Sequence, residues 1–262
     1  MKRIMFAASL SLIMSAASAF AASSGLVPAG ILRATFIATN PVQGIVEAKT
    51  GAVKGPASDL TRALAERLSV PFKVTPANGV QGVLASVKNG EADIGFLAFD
   101  PGRAAEVDYS QIYSLAQNTY MVLDASPLKS VSEIDRAGVT IGVTQGDTGD
   151  LYLTRTLKSA AFLRNKDGDM AVAMRLLRGG EIAAYGTNRQ RLYELAQANP
   201  GFRLLPDNFY SVPQAIIVKK GNSALLATIE PMIDAARRSG LIAASIRNAG
   251  LVGVDVAPPP AK

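Results

Sequence analysis

Residues 80–99, V-Q-G-V-L-A-S-V-K-N-G-E-A-D-I-G-F-L-A-F, contain the helix–strand unit on which the fold prediction rests. Apolar residues in its first half recur three or four positions apart, namely Val80, Val83, Leu84 and Val87. This spacing places them on one face of a helix, which Asn89-Gly90 would end. Residues 94–99 form a short apolar run, which predicts a buried strand after that helix.

The same alternation extends outward from this unit. Before it, the sequence predicts a strand at 31–38, a helix at 60–68 that Ser58 can cap, and a strand at 70–74. Strands that alternate with helices form parallel sheets with right-handed crossovers. The first part of the chain therefore predicts one parallel sheet.

After a strand at 120–123, a second unit of similar size begins. Its predicted strands are at 139–143, 161–163, 182–185 and 202–205, and its helices run through Leu153 and Leu157, at 170–177 and at 190–196. A returning strand at 215–218, helices at 225–236 and 241–246, and a frayed tail at 256–260 follow. The last helices have no unit of their own, so we expect them to pack on the first unit.

The sequence thus predicts an α/β protein of two lobes joined by two crossing strands. Lobe 1 is predicted to comprise residues 22–122 and 219–262, and lobe 2 residues 123–218. Each lobe would be a mostly parallel sheet flanked by helices. A cleft between the lobes would bind a ligand at the carboxyl ends of the strands.

The 262-residue chain contains no cysteine and no histidine. These absences exclude a Ser-His-Asp triad, a histidine-ligated metal site, a thiol nucleophile and a disulfide framework. We expect no metal site, no cofactor and no catalytic residue. The net charge of +6 is scattered, with pairs such as Lys219-Lys220 but no long basic block, so the sequence does not favour nucleic-acid binding.

The first 21 residues have the pattern of an export signal. Lys2 and Arg3 form a positively charged start, residues 4–14 are apolar, and Ala19-Phe20-Ala21 has the small-x-small form of a cleavage site. We expect cleavage after Ala21 and a soluble mature protein in a bacterial periplasm. A retained N-terminal anchor is the alternative, although the apolar run is short for a membrane span.

Four segments carry a family resemblance. They are G-x-x-x-D-L-x-x-A-L-A-x-x-L at 55–68, L-A-S-V-K-N-G-E-A-D-I at 84–94, D-P-G-R-A-A-E-V-D-Y-S at 100–110 and I-G-V-T-Q-G-D-T at 141–148. Their order and spacing resemble bacterial extracellular solute-binding proteins of family 3, the periplasmic polar amino-acid receptors of ABC importers. The resemblance implies a two-lobed periplasmic-binding-protein-like fold of type II with two hinge strands. It also implies a monomer that passes its ligand to a membrane permease.

The resemblance assigns ligand contacts to Arg103 and Thr148. Arg103 matches the family's arginine that clamps the α-carboxylate of the ligand, and a guanidinium can pair with a carboxylate through two hydrogen bonds. The alternative is a structural pair with Asp100 or Glu106. Thr148 lies at a helix start, where free N–H groups attract anions, and the alternative is a plain helix cap.

Three positions depart from the family pattern. Asn188 stands where the family has its ammonium-binding aspartate, Ala98 replaces a hydroxyl residue, and Ala183 replaces an aspartate. Two hypotheses follow: the ligand is a carboxylate or amide without an α-ammonium, or Asp147 supplies the missing charge. The alternative for Asp147 is a helix cap that complements the helix dipole.

Three further residues are candidates for the cleft. Phe99 and Asn40 are at strand ends expected to face it, and Gln214 precedes the returning strand near the hinge. The sequence as a whole predicts a binding receptor for a small carboxylate-bearing solute. An exported dehydratase-like enzyme on the same fold, with Asp147 as acid, and a sensing module for a separate signalling protein are the alternatives.

Overall fold

A computed structural model describes residues 25–260 of the chain, so the predicted export signal lies outside the described residues. This part of the chain contains seven α-helices, which are α1 Pro56–Leu68, α2 Gly79–Lys88, α3 Thr148–Thr156, α4 Met170–Arg178, α5 Arg189–Ala198, α6 Ser223–Arg238 and α7 Leu241–Asn248. Its longer strands are β1 Leu32–Ile37, β4 Phe72–Ala77, β5 Ile94–Ala98, β7 Ser114–Leu123, β8 Thr140–Thr144, β9 Ala161–Asn165, β10 Ala184–Asn188 and β12 Tyr210–Lys219. The short strands are β2 Ile45–Val46, β3 Val53–Lys54, β6 Val107–Tyr109, β11 Phe202–Leu204 and β13 Val254–Val256.

The long strands form one curved sheet in the order β4-β1-β5-β12-β7-β10-β8-β9. Pairing is parallel at each end of this order, between β4, β1 and β5 and between β10, β8 and β9. The two central strands β7 and β12 pair antiparallel with each other and with their outer neighbours. They are the crossing strands, and they join two parallel α/β lobes, so the predicted fold class is confirmed.

Each lobe has its own hydrophobic core. In lobe 1, helices α1, α6 and α7 cover a core built around β1 and β5, including Phe36, Leu60 and Phe96. The C-terminal helices α6 and α7 therefore pack back on the first lobe, as the sequence predicts. Lobe 2 has cores on the two faces of its sheet, one around Ile141 and one around Tyr185.

The limits of the two lobes remain a prediction. Val212, Ile216 and Val218 of β12 pack in the lobe 1 core. Their burial there favours a crossing point earlier in β12 than residue 218, where the sequence places it.

The ends of several elements differ from the sequence prediction, because backbone conformation or strand pairing determines where they begin and end. Helix α1 is preceded by Gly55, with φ 94°, and Pro56 is its first residue, so Ser58 is not its cap. The tail is not frayed at its start, because Val254–Val256 pairs with β7 and Ala257 is buried. The returning strand is longer than predicted, since β12 begins at Tyr210.

Candidate functional site

A cleft of about 360 Å³ lies between the lobes at the carboxyl ends of their parallel strands. Both lobes and both crossing strands line it. The polar and charged lining residues are Thr39, Asn40, Gln43, Asn78, Gln81, Arg103, Asn118, Thr144, Gln145, Asp147, Thr148, Lys166, Asp167, Thr187, Asn188, Arg191 and Gln214. Carboxamides are the commonest side chains in this set, and no aromatic ring lines the cleft within the described part of the chain.

Arg103 lies in a short 3-10 turn after β5 and brings its guanidinium into this cleft. The residue is 9% exposed, and its Nη1 and Nη2 each donate a hydrogen bond of 3.3 Å, to Ala98 O in lobe 1 and to Gly146 O in lobe 2. No described carboxylate lies within ion-pair distance of it, which rules against the predicted alternative of a pair with Asp100 or Glu106. The guanidinium charge thus faces the cleft between carbonyl groups, without a protein anion.

The N-terminus of α3 faces the same cleft from lobe 2. Thr148, the first residue of α3, is buried and lines the cleft together with Gly149. The backbone N–H groups of these two residues make no hydrogen bond to another described residue. Free N–H groups at a helix N-terminus form an anion site.

An ion pair holds the loop before α3 in place. The buried Asp150 accepts hydrogen bonds from Gly146 N at 2.9 Å and from Arg164 Nε at 3.0 Å. The Arg164 side chain lies against Phe162, with its guanidinium carbon 5.0 Å from the ring centroid. Asp150 therefore fixes the backbone that presents Gly146 to Arg103.

Asp147 is the N-cap of α3 and also lines the cleft. Its Oδ1 accepts from Asp150 N at 2.7 Å, and its Oδ2 accepts from the Thr187 hydroxyl at 3.3 Å. Burial raises the pKa of the Asp147 carboxyl to about 6, although these hydrogen bonds and the charge of Arg191 act in the opposite direction. The capping role predicted as the alternative is present, and the side chain still borders the ligand space.

Asn188 likewise combines a cap with a place at the cleft. It ends β10, and its Oδ1 accepts from Arg191 N at 3.2 Å, which caps α5. Ala98 lines the cleft at the end of β5, and its carbonyl oxygen is held by Arg103 and by the Tyr109 hydroxyl. Ala183 is exposed and borders a different depression, so it does not lie at the cleft.

Asn40 and Gln214 line the cleft as predicted, and Phe99 does not. Gln214 in β12 accepts from Gln43 Nε2 at 3.2 Å, which joins the crossing strand to the loop after β1. Phe99 follows the last residue of β5, and its backbone N–H donates to Pro213 O. Its ring packs edge-on against Tyr109 instead, with centroids 5.1 Å apart.

Several lining residues were not predicted from the sequence. Lys166 and Asp167 follow β9 directly, so the rule that sites lie at the carboxyl ends of strands could have identified them. Arg191 in the first turn of α5 donates to Gly168 O at 2.7 Å and thereby joins this helix to the loop after β9. Asn118 is inside an apolar strand, and nothing in its local sequence indicates that it faces a ligand.

Residues 25–260 contain neither a metal-binding cluster nor a helix able to cross a membrane. No cluster of three or more acidic residues is arranged to hold a metal ion. No helix in the same range combines the length and apolar character needed to cross a membrane.

Comparison with known proteins gives the family. Residues 32–248 match the model of bacterial extracellular solute-binding proteins, family 3, which is most of the chain. The chain belongs to this family. It is accordingly a solute-binding protein of a family whose members work outside the cytoplasm.

Relatives of this family 3 protein are described as glutamine-binding proteins. An ABC transporter glutamine-binding protein of Bacillus subtilis (strain 168) is 25% identical over 201 residues, which are 75% of this chain and 72% of that protein. A glutamine-binding protein of Geobacillus stearothermophilus is 25% identical over 177 residues, or 66% of each chain.

Solved structures share the fold of this family 3 protein. An ancestral amino-acid-binding protein described as a precursor of cyclohexadienyl dehydratase has a TM-score of 0.70 at 22% identity, covering 86% of this chain and 97% of that one. At this level of identity the likeness concerns the fold and not the ligand.

Proposed function

We propose that this protein is a periplasmic receptor that captures a small carboxylate-bearing solute, an amino acid or a related organic acid, and delivers it to the permease of an ABC importer. One observation carries the proposal. The guanidinium of Arg103 in lobe 1 lies across the cleft from the free N–H groups of Thr148 and Gly149 in lobe 2, and no carboxylate among residues 25–260 pairs with it. A ligand carboxylate fits between these two groups of donors.

The two donor groups differ in what they contribute. The planar guanidinium can donate two parallel hydrogen bonds to a carboxylate, and a buried charge pair of this kind gives both affinity and orientation. The helix N-terminus adds N–H donors and the positive end of the helix dipole. Because the donors come from different lobes, a bound carboxylate joins the lobes and favours closure about the crossing strands.

Export to the periplasm and a monomeric state complete the proposal. The pattern of residues 1–21 supports removal of a signal after Ala21. The relatives that serve ABC transporters support a membrane permease as the partner.

Asp147 and Asn188 leave two alternatives for the ligand, one with an α-ammonium and one without it. If the ligand carries an α-ammonium, as glutamine does in the relatives named above, Asp147 is the carboxylate of the cleft nearest to the anion site. If the ligand carries no ammonium, the uncharged side chain of Asn188 suits it, and Asp147 acts only as the cap of α3. A carboxylate with a raised pKa is a poorer partner for an ammonium than one that is fully ionised.

Calorimetric titration tests the proposal and separates these alternatives. The purified protein is titrated with amino acids and with the matched acids in which hydrogen replaces the amino group. Binding of the deaminated acids supports a ligand without an ammonium. Binding of amino acids that Asp147→Asn abolishes supports Asp147 as the ammonium partner, and binding of amino acids unaffected by that substitution contradicts both. Failure of every carboxylate to bind contradicts the receptor.

A dehydratase-like activity is the second candidate, and one observation favours it. The pKa of Asp147 near 6 suits a general acid at the edge of the cleft. Incubation with hydroxylated cyclic and acyclic acids, followed by chromatography, decides the matter. Dehydrated product that disappears in Asp147→Asn would establish catalysis, and unchanged substrate supports a receptor.

A further inference from the structure

A buried carboxamide without a partner faces the cleft from the crossing strand β7. Asn118 is 4% exposed and lines the cleft, and its side chain makes no hydrogen bond to another described residue. Both polar atoms of Asn118 keep some solvent contact in the cleft, so a ligand group can reach them. The Asn118 carboxamide is thus available to hydrogen-bond a ligand.

The position of Asn118 relative to the anion site is well defined. A Cβ atom placed on Gly149 would lie 3.1 Å from Asn118 Nδ2, so the carboxamide lies against the first turn of α3. This is the turn whose free N–H groups face the cleft. A ligand group in contact with Asn118 is consequently close to the carboxylate that those N–H groups would hold.

A second unpaired carboxamide faces the same space from lobe 1. Asn40 follows β1, lines the cleft, and has a buried Oδ1 that accepts no hydrogen bond from the described residues. Asn188 lies opposite Asn118 in the β10–β7 register, and its Oδ1 already accepts from Arg191 N. Asn188 therefore offers its Nδ2 donors, whereas Asn40 and Asn118 offer acceptors as well.

We infer that Asn118 and Asn40 bind an uncharged polar group of the ligand, a hydroxyl or a carboxamide, within a few bonds of its carboxylate. A hydroxyl or a carboxamide both donates and accepts, as these side chains do. An ammonium only donates and would leave the Asn118 amide donors unpaired. A second carboxylate only accepts and would face the acceptor Oδ1 of Asn40. This inference rests on the proposed function, because it concerns the same cleft.

The lining of the cleft favours an acyclic ligand. No ring in the described chain lines it, so no stacking surface exists there for a cyclic sugar or an aromatic ligand. The class that fits is a small hydroxy acid or an acid amide.

A matched set of four-carbon acids tests the inference. 2-Hydroxybutanoate, 2-aminobutanoate and butanoate differ at one carbon, where they carry a hydroxyl, an ammonium or hydrogen, and none has a second carboxylate. Succinamate and butanoate differ in a terminal carboxamide, and the five-carbon counterparts cover a longer ligand. Each acid is titrated by calorimetry into the wild-type protein, Asn118→Leu and Asn40→Ser. Gln117→Leu is the control, since Gln117 is next in the same strand and does not line the cleft.

The hydroxyl or carboxamide member should bind the wild type about 10- to 100-fold more tightly than its unsubstituted partner, because one or two hydrogen bonds are gained. In Asn118→Leu this preference should fall below about threefold, while the unsubstituted acid, which does not use Asn118, still binds. Asn40→Ser should also reduce the preference, and Gln117→Leu should keep it.

Other outcomes overturn the inference and remain distinguishable from failure of the receptor. Carboxylates that bind without a hydroxyl or carboxamide preference, or a preference that persists in Asn118→Leu, overturn the inference alone. Tighter binding of 2-aminobutanoate than of 2-hydroxybutanoate also overturns it. If none of the acids binds the wild type, the proposed function fails together with the inference.

Discussion

At the scale of single residues, two side chains carry more than one interaction at the cleft. Asp147 and Asn188 each cap a helix through Oδ1 and present the rest of the side chain to the ligand space. Capping holds the side chain in one orientation, which lowers the entropy that ligand binding must remove. A cap and a ligand contact are therefore compatible at such a position.

The raised pKa of Asp147 makes a prediction about stability. Between about pH 4 and 6 the folded protein keeps a proton on Asp147 that the unfolded chain releases, so this group lowers the free energy of unfolding as the pH rises through that window. Asp147→Asn keeps an oxygen acceptor for the cap. The free energy of unfolding of the variant, relative to that of the wild type, should increase across this window, by up to about 3 kcal/mol at pH 7.

Urea unfolding at pH 4 and at pH 7 measures this gain. Asp169→Asn is the control, because Asp169 caps α4 through Ala171 N at an exposed position outside the cleft. A stability difference between Asp147→Asn and the wild type that is the same at both pH values would show that burial does not raise this pKa.

At the scale of elements, the placement of α3 depends on its attachment to β9. Asp150 in α3 pairs with Arg164 in β9 and accepts from the loop at Gly146, so one carboxylate fixes both the helix and the loop before it. The same loop supplies the carbonyl group that contacts Arg103. The lobe 2 half of the site is thus organised by a side chain outside the ligand space.

Asp150→Ala should lower the free energy of unfolding by about 2–4 kcal/mol, because it removes a buried charge and leaves its hydrogen-bond donors unpaired. Glu181→Ala is the control, since the Arg175–Glu181 pair is 3.6 Å long and exposed, and such pairs contribute about 0–1 kcal/mol. Urea denaturation compares the two variants. Equal, small losses in both would show that Asp150 does not organise α3.

The elements also show how far the sequence predicts this molecule. The long helices and strands follow from apolar periodicity, because their stability comes from one buried face. The strands β2, β3, β6 and β13 are two or three residues long, so they have no measurable periodicity. β2 and β3 pair with each other, whereas β6 and β13 form because the distant strands β12 and β7 pair with them.

The sequence predicts some residues of the candidate site and misses others. Arg103 and Thr148 are placed at the cleft by the general rule for strand ends and by family resemblance. Asn118 lies between the lobes because β7 pairs with β10 on one side and with β12 on the other. These pairings involve residues far away in the sequence, so no local sequence pattern predicts them.

At the scale of the whole molecule, two contacts join the lobes beside the ligand space. Arg103 reaches Gly146, and Arg155 of α3 approaches the buried Asp100 to 3.8 Å. Farther along, Val252 N donates to Gln190 Oε1 of α5, and the crossing strands β7 and β12 provide the hinge. A carboxylate with donors from both lobes would therefore shift the molecule toward closure.

Small-angle X-ray scattering measures that shift. The radius of gyration should decrease when the tightest-binding acid is added at saturation, and the free energy of unfolding should rise by about 2.7 kcal/mol at a ligand concentration 100 times Kd. An acid that stabilises the protein but leaves the radius of gyration unchanged would show binding without closure of the lobes.

The central claim is that Arg103 holds a ligand carboxylate between the lobes, and calorimetric titration of Arg103→Ala tests it most directly. Arg238→Ala, at the exposed end of α6, is the matched control. Arg103→Ala should weaken the binding of every carboxylate ligand by about 2–5 kcal/mol, as expected when one partner of a buried charge pair is removed, whereas Arg238→Ala should bind as the wild type does. Undiminished affinity in Arg103→Ala would contradict the account.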